Sequence, residues 1–150
     1  EICACLVGSE MCIRDREDGT RNEDIQHLSF SDNSIDLMIS SDVLEHVVDI
    51  NAAFEEMKRV LKPGGKHIFS IPMYDGMTRQ RASIEDGRIK YILPKHYHCD
   101  PAKDGNGFIL VFWDYGKDFA TRFSDDRMRI SIAKGPFGPD GKIVWCAEKL

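Results

Sequence analysis

The residues of this 150-residue chain best suited to chemistry are imidazoles and one phenol. His46 lies just behind Ser41-Asp42-Val43, and Tyr74, His96 and His98 follow in a stretch of mixed charge that also holds Pro94 and Pro101. An imidazole titrates near neutral pH and can take a proton from a hydroxyl or amine, which makes His46 a candidate catalytic base. The plainer alternative is a histidine satisfied by the fold. Tyr74, His96 and His98 are candidate substrate-pocket residues. No metal is expected at His96 and His98, because no third ligand is evident beside them. Cysteine offers less. Of five, Cys3, Cys5 and Cys12 crowd the amino end, far from Cys99 and Cys146, and no CxxC pair exists. An odd count without zinc-type spacing points to free thiols in a reducing cytoplasm rather than a disulfide-stapled secreted domain.

Elements able to position these groups are legible. The run Ser34-Ile-Asp-Leu-Met-Ile-Ser40 is short, apolar and bounded by turn residues, the pattern of a parallel strand buried on both faces. A helix follows, with Asp49 or Asn51 as its cap. Phe54, Met57 and Leu61 form its apolar stripe with Ala53 and Val60, and Glu55 and Arg59 are spaced to pair. Lys62-Pro-Gly-Gly65 ends it, and Lys66–Pro72 is a second strand. Strand, helix, glycine turn and strand make a βαβ unit with parallel neighbours.

Beyond Pro72, residues 74–107 read as an irregular inserted lid. Phe108–Trp113 has strand or buried-loop character and suits the core. Asp114–Phe123 suits a short helix using Phe119 and Phe123. Met128–Ala133 alternates at period two, Gly135–Gly141 is a turn, and Lys142–Ala147 returns as the partner of a terminal antiparallel hairpin.

Composition limits the partners. Twenty basic against 25 acidic residues give a net charge of −5, with no dense Lys/Arg cluster, which argues against binding of duplex nucleic acid. No apolar run approaches the roughly 20 residues of a membrane-spanning helix.

Three segments in register carry a family resemblance. Glu23-Asp-Ile-Gln-His-Leu-Ser-Phe30, Ser34-Ile-Asp-Leu-Met-Ile-Ser-Ser-Asp-Val-Leu-Glu-His-Val47 and Arg59-Val-Leu-Lys-Pro-Gly-Gly65 resemble, in order and spacing, the second half of class I S-adenosylmethionine-dependent methyltransferases. Tyr97-His-Cys-Asp-Pro101 and the aromatic run through Tyr115 resemble a bacterial subgroup acting on small molecules. The resemblance implies an α/β, Rossmann-like methyltransferase sheet, of which this chain supplies the strands in order 4-5-7-6. Residues 34–40 would be the fourth strand and 66–72 the fifth. It implies S-adenosylmethionine as cofactor, bound at the carboxyl ends of the strands. Asp24 matches the family's adenine contact, with the Ile25 N–H reaching a ring nitrogen. Ser41, Asp42 and Val43 match the loop lining the methionine half. His46 falls where some members place an active-site group. The implied reaction is methyl transfer to a small-molecule or envelope-metabolite acceptor; the alternative is a non-catalytic, methyltransferase-like binding module.

Two family features are missing from the sequence: the glycine-rich loop after the first strand and the acidic residue that ends the second. Residues 17–150 therefore read as part of a methyltransferase domain. Without its first strand, Ile35–Ile39 is expected to present an unpaired apolar edge, and the chain alone to bind cofactor feebly. Residues 1–16 stand apart, because LVGSEMCIRDR resembles translated sequencing-adapter read-through and reads as a non-native leader. The alternative there is a short buried strand over Ile2–Val7.

Overall fold

The computed structural model describes residues 2–3, 23–100, 107–137 and 142–150. Its centre is one five-stranded sheet. Strands β1 (Ile2–Cys3), β2 (Ile35–Ser41) and β3 (Leu61–Ser70) run parallel, and β11 (Lys142–Lys149) lies antiparallel between β3 and β10 (Met128–Phe137). The order β2-β3-β11-β10 is the expected 4-5-7-6 arrangement.

The expected bare edge at Ile35–Ile39 is corrected at Leu37 and Met38 alone, which pair with Ile2 and Cys3 in parallel. This favours the strand alternative for Ile2 and Cys3; the rest of the leader, residues 1 and 4–16, lies outside the described residues.

Helix α1 (Ile50–Val60) connects β2 to β3. Asp49 caps it by accepting from the N–H groups of Asn51 and Ala52 at 3.0 and 3.1 Å. Ala53, Phe54, Met57 and Val60 are buried as the stripe requires. The anticipated Glu55–Arg59 pair does not form. Arg59 instead binds Glu56 and Asp32 and donates to the carbonyls of Leu28 and Phe30, while Glu55 takes Lys58 and Arg127. The guanidinium fork thus fastens the segment before β2 along the helix. Lys62-Pro-Gly-Gly65 falls within β3 yet bulges from it as the glycine turn requires: Leu61 pairs with Ile35 and Lys66 with Leu37, and Gly64 between them has a φ of 77°.

Helix α2 (Phe119–Phe123) lies on the same sheet face as α1. Phe119 meets Phe54, Phe69 and Trp145 with ring centroids 5.1–6.3 Å apart. Burying each such ring contributes roughly 1.5–3 kcal/mol. No described helix covers the opposite face, so β2 alternates rather than burying both sides, and Ile39 is 47% exposed.

Residues 74–107 are more regular than expected. β5 (Ala82–Glu85) and β6 (Arg88–Tyr91) form a hairpin. β7 (Tyr97–Asp100) pairs with β8 (Gly107–Leu110), and β4 (Arg79–Gln80) with β9 (Trp113–Asp114). The signal for the first was Asp86-Gly87: both residues have positive φ, 50° and 71°, as a tight two-residue hairpin turn demands. Phe112 and Trp113 join the core, whereas Phe108 points outward.

Candidate functional site at the carboxyl end of the sheet

The chain leaves β2 through Asp42, whose φ of 53° turns it sharply. The Asp42 N–H donates to Ser70 O at 3.0 Å, and the Ser41 hydroxyl lies 2.9 Å from that of Ser70. Ser41 and Asp42 are exposed on the rim and Val43 is buried beneath them. A single 3-10 turn, Leu44–His46, follows, and all three of its residues are buried. Tyr115 holds this turn by donating its hydroxyl to Leu44 O at 2.7 Å, and Phe112 N donates to Glu45 O at 2.8 Å.

Asp24 reaches the same end of the sheet. Its carboxylate accepts from the backbone N–H and side-chain amide of Gln26 at 2.9 and 3.0 Å. Gln26 Oε1 in turn accepts from Asp49 N at 2.8 Å, at the amino end of α1, which faces the carboxyl end of β2. Asp24 is exposed, and the fully buried Ile25 side chain anchors the turn.

The four residues singled out for acceptor chemistry stand together. The rings of His46 and His98 are 5.0 Å apart, His98 and His96 5.1 Å, and His96 and Tyr74 6.2 Å, each pair nearly perpendicular. His46 Nδ1 lies 2.8 Å from Leu110 O. A carbonyl only accepts, so this nitrogen carries the proton and Nε2 keeps its lone pair. Burial holds the His46 pKa below the ordinary imidazole value. Burial, then the neighbouring His46 and His96, lowers that of His98.

Sequence reasoning missed Glu45. It is 1% exposed, and neither carboxylate oxygen has a hydrogen-bond partner. Burial, with a smaller push from Asp42, raises its pKa to about 8 against the opposing pull of its own backbone N–H, which lies outside hydrogen-bond geometry. Its one signal was an acidic residue inside a turn that is otherwise core. Also missed was Asp114, buried under the cluster, which takes Arg79 Nε at 2.9 Å and Arg81 Nη1 at 2.6 Å. Arg81 then reaches Pro94 O at 2.6 Å, so this ion pair braces the segment that carries His96 and His98.

Known proteins resemble the chain in the same sense. Residues 7–69 match the methyltransferase domain family model, a stretch that begins within the segment set aside above as leader. The ubiquinone/menaquinone biosynthesis C-methyltransferase of Haemophilus ducreyi is 40% identical over 57 residues, 36% of this chain and 22% of that protein. A malonyl-[acyl-carrier protein] O-methyltransferase of Coxiella burnetii is 34% identical over 77 residues, 51% of this chain and 24% of that protein. Among solved structures, 1,6-didemethyltoxoflavin-N1-methyltransferase of Burkholderia thailandensis, with bound S-adenosylhomocysteine, superposes with a TM-score of 0.55 at 12% identity, covering 84% of this chain and 48% of that one. Geranyl diphosphate C-methyltransferase of Streptomyces coelicolor gives 0.51 at 10% identity, over 87% of this chain and 52% of that one.

Residues 7–69 are thus similar to the methyltransferase domain family, and the mixed α/β sheet is the fold of solved S-adenosylmethionine-dependent methyltransferases. The chain spans about a quarter or less of the two curated relatives' length. No helix among the described residues is long and apolar enough to cross a membrane.

Proposed function

We propose that the whole methyltransferase containing these residues transfers a methyl group to a small-molecule or envelope-metabolite acceptor bearing a hydroxyl or amine. We place that acceptor against Tyr74, His96 and His98. The observation that carries this reading is the ladder of imidazoles running from buried His46 outward to Tyr74, beside the Ser41–Val43 rim.

The residues present fit the family's cofactor by the chemistry of their donors. The exposed Asp24 carboxylate suits an exocyclic amino group, and the Ile25 N–H a ring nitrogen. Ser41, Asp42 and Val43 supply a hydroxyl, a carboxylate and an apolar floor for a chain ending in an ammonium group. When bound, S-adenosylmethionine supplies a methyl carbon on a cationic sulfur, and its displacement needs alignment above all.

The protein's own part is then to hold the acceptor and take its proton. His46, at 5% side-chain exposure, sits too deep to touch the acceptor, whereas His98 is 27% exposed. His98 therefore meets the acceptor proton, with His46 behind it as the final proton acceptor. Asp114 and Arg81 keep the ladder in line. The absence of the family's glycine-rich loop from the sequence supports feeble cofactor binding by the 150-residue chain alone. The free thiols of Cys99 and Cys146 support a reducing, cytoplasmic setting.

The test is transfer of a labelled methyl group by the longest open reading frame that contains these residues. Replacing His98 by alanine is expected to lower kcat by roughly 100-fold or more, the range of general-base catalysis, while leaving the KM for the methyl donor within a few-fold. Unchanged kcat in that variant rejects the proton role. Acceptor binding with no transfer in the wild-type protein favours the non-catalytic module.

A further inference from the structure

We propose that Glu45, His46 and His98 form a binding site for one divalent transition-metal cation of the zinc class. The inference concerns the acceptor pocket just described; a bound cation takes the ring lone pair of His46 that the proton role needs, so the proton role belongs to the metal-free protein, and binding of a cation does not require that methyl transfer occur there.

The spacing carries the argument. Glu45 Oε1 lies 3.8 Å from His46 Nε2 and 3.6 Å from His98 Nδ1. Both separations are too long for a hydrogen bond, so the three groups do not satisfy one another. One donor atom from each residue nonetheless falls within 4.8 Å of the other two. Metal bonds of about 2.0–2.1 Å set tetrahedral ligands roughly 3.3 Å apart, so closing round a cation needs shifts of a few tenths of an ångström at Glu45 and more at the histidine pair.

Glu45 gives the second, independent observation. A carboxyl group 1% exposed with both oxygens lacking a hydrogen-bond partner is costly, and buried charge persists where it is paired or coordinates a metal. The orientation of His46 agrees. Its Nδ1–H donates to Leu110 O at 2.8 Å, the arrangement by which metal-bound histidines are fixed in tautomer and aim. Leu110 lies on β8, and its partner strand β7 carries His98, so one hairpin supplies both a ligand and the support of another.

Two imidazoles and one carboxylate suit zinc, cobalt, iron(II) or manganese better than a magnesium ion, which prefers oxygen ligands. Three protein ligands leave positions open for water or for an oxygen or nitrogen of the acceptor. No local pattern signals the site, because the structure joins His98 to Glu45 and His46, 53 and 52 residues earlier in the chain.

The experiment titrates the 150-residue chain with cobalt(II) and zinc(II), without methyl donor or acceptor. Cys3, Cys5, Cys12 and Cys99 are first replaced by serine to remove competing thiols. Binding of one equivalent, a visible cobalt ligand-field band without a thiolate charge-transfer band, and a zinc-dependent rise in Tm are expected. His98→Ala, on the partly exposed hairpin, and Glu45→Gln are each expected to weaken binding at least tenfold. Both variants are to be checked for an unchanged far-UV circular dichroism spectrum. Equal binding in folded His98→Ala and Glu45→Gln chains places the cation elsewhere and overturns the proposal, as does no binding by the folded serine-substituted chain at millimolar metal. Because no methyl-transfer component is present, neither result is confused with failure of the transferase reading.

Discussion

Replacing Glu45 by glutamine is expected to make the metal-free chain more stable, increasingly so as pH rises. The carboxyl group is almost wholly buried without a hydrogen-bond partner, and burial raises its pKa from 4.5 to about 8. Unfolding releases it to solvent, where it ionises at the ordinary value. Between pH 4.5 and about 8 the folded state therefore binds more protons than the unfolded state, and stability falls with rising pH. Below that window both states are protonated and the penalty vanishes; above it the penalty is complete. A rise of this size corresponds to on the order of 5 kcal/mol. Glutamine keeps the shape and cannot ionise. Urea unfolding with a chelator present, from pH 4.5 to 8.5, should show the wild-type and Glu45→Gln curves close together at the acid end. At the alkaline end the variant should be ahead by several kcal/mol. The histidines pull the other way, since burial lowers the pKa of His46 and His98, but they are present in both proteins and largely cancel in the difference. A pH-independent difference, or a variant that loses ground as pH rises, refutes the reasoning.

Asp49→Ala should cost about 1 kcal/mol in urea unfolding, because it removes the acceptor for the Asn51 and Ala52 N–H groups at the start of α1. Gly116→Ala should cost roughly 1–3 kcal/mol by the same assay. A Cβ there would lie 2.4 Å from Gly76 O and 2.6 Å from the Met77 carbonyl carbon, both backbone atoms with little freedom to retreat. An unaltered urea midpoint in either variant counts against the corresponding contact.

The central βαβ unit was legible because local signals agreed with one another. Asp49 is a cap by type, Phe54 and Met57 repeat at helical spacing, and the apolar runs before and after are of strand length. The terminal hairpin announced itself through period-two alternation, and Met128 and Ile130 are buried while Ile132 points outward. Where tertiary contact decides, sequence alone misled. Arg59 had a helical partner at Glu55 yet is drawn to Glu56, Asp32 and two carbonyls. The pairing of Ile2 and Cys3 with β2 depends on contact across more than 30 residues, which no local pattern encodes.

The candidate site divides in the same way. His46, His96, His98 and Tyr74 could be named as types capable of proton transfer, and they converge. Glu45 could not be singled out, because its importance comes from burial without a partner. Asp114 drew no notice because its Arg79 and Arg81 partners lie 35 and 33 residues away.

The claim on which the account rests is that Asp24, Ile25 and Ser41–Val43 form one wall of a nucleotide-type cofactor pocket. Amide NMR of the 150-residue chain, titrated with S-adenosylhomocysteine, tests it most directly. Shifts concentrated at Asp24, Ile25, Ser41, Asp42 and Val43, saturating only well above the micromolar range, are predicted. Shifts absent from those residues while appearing elsewhere on the chain, or no shifts at millimolar ligand, would contradict it.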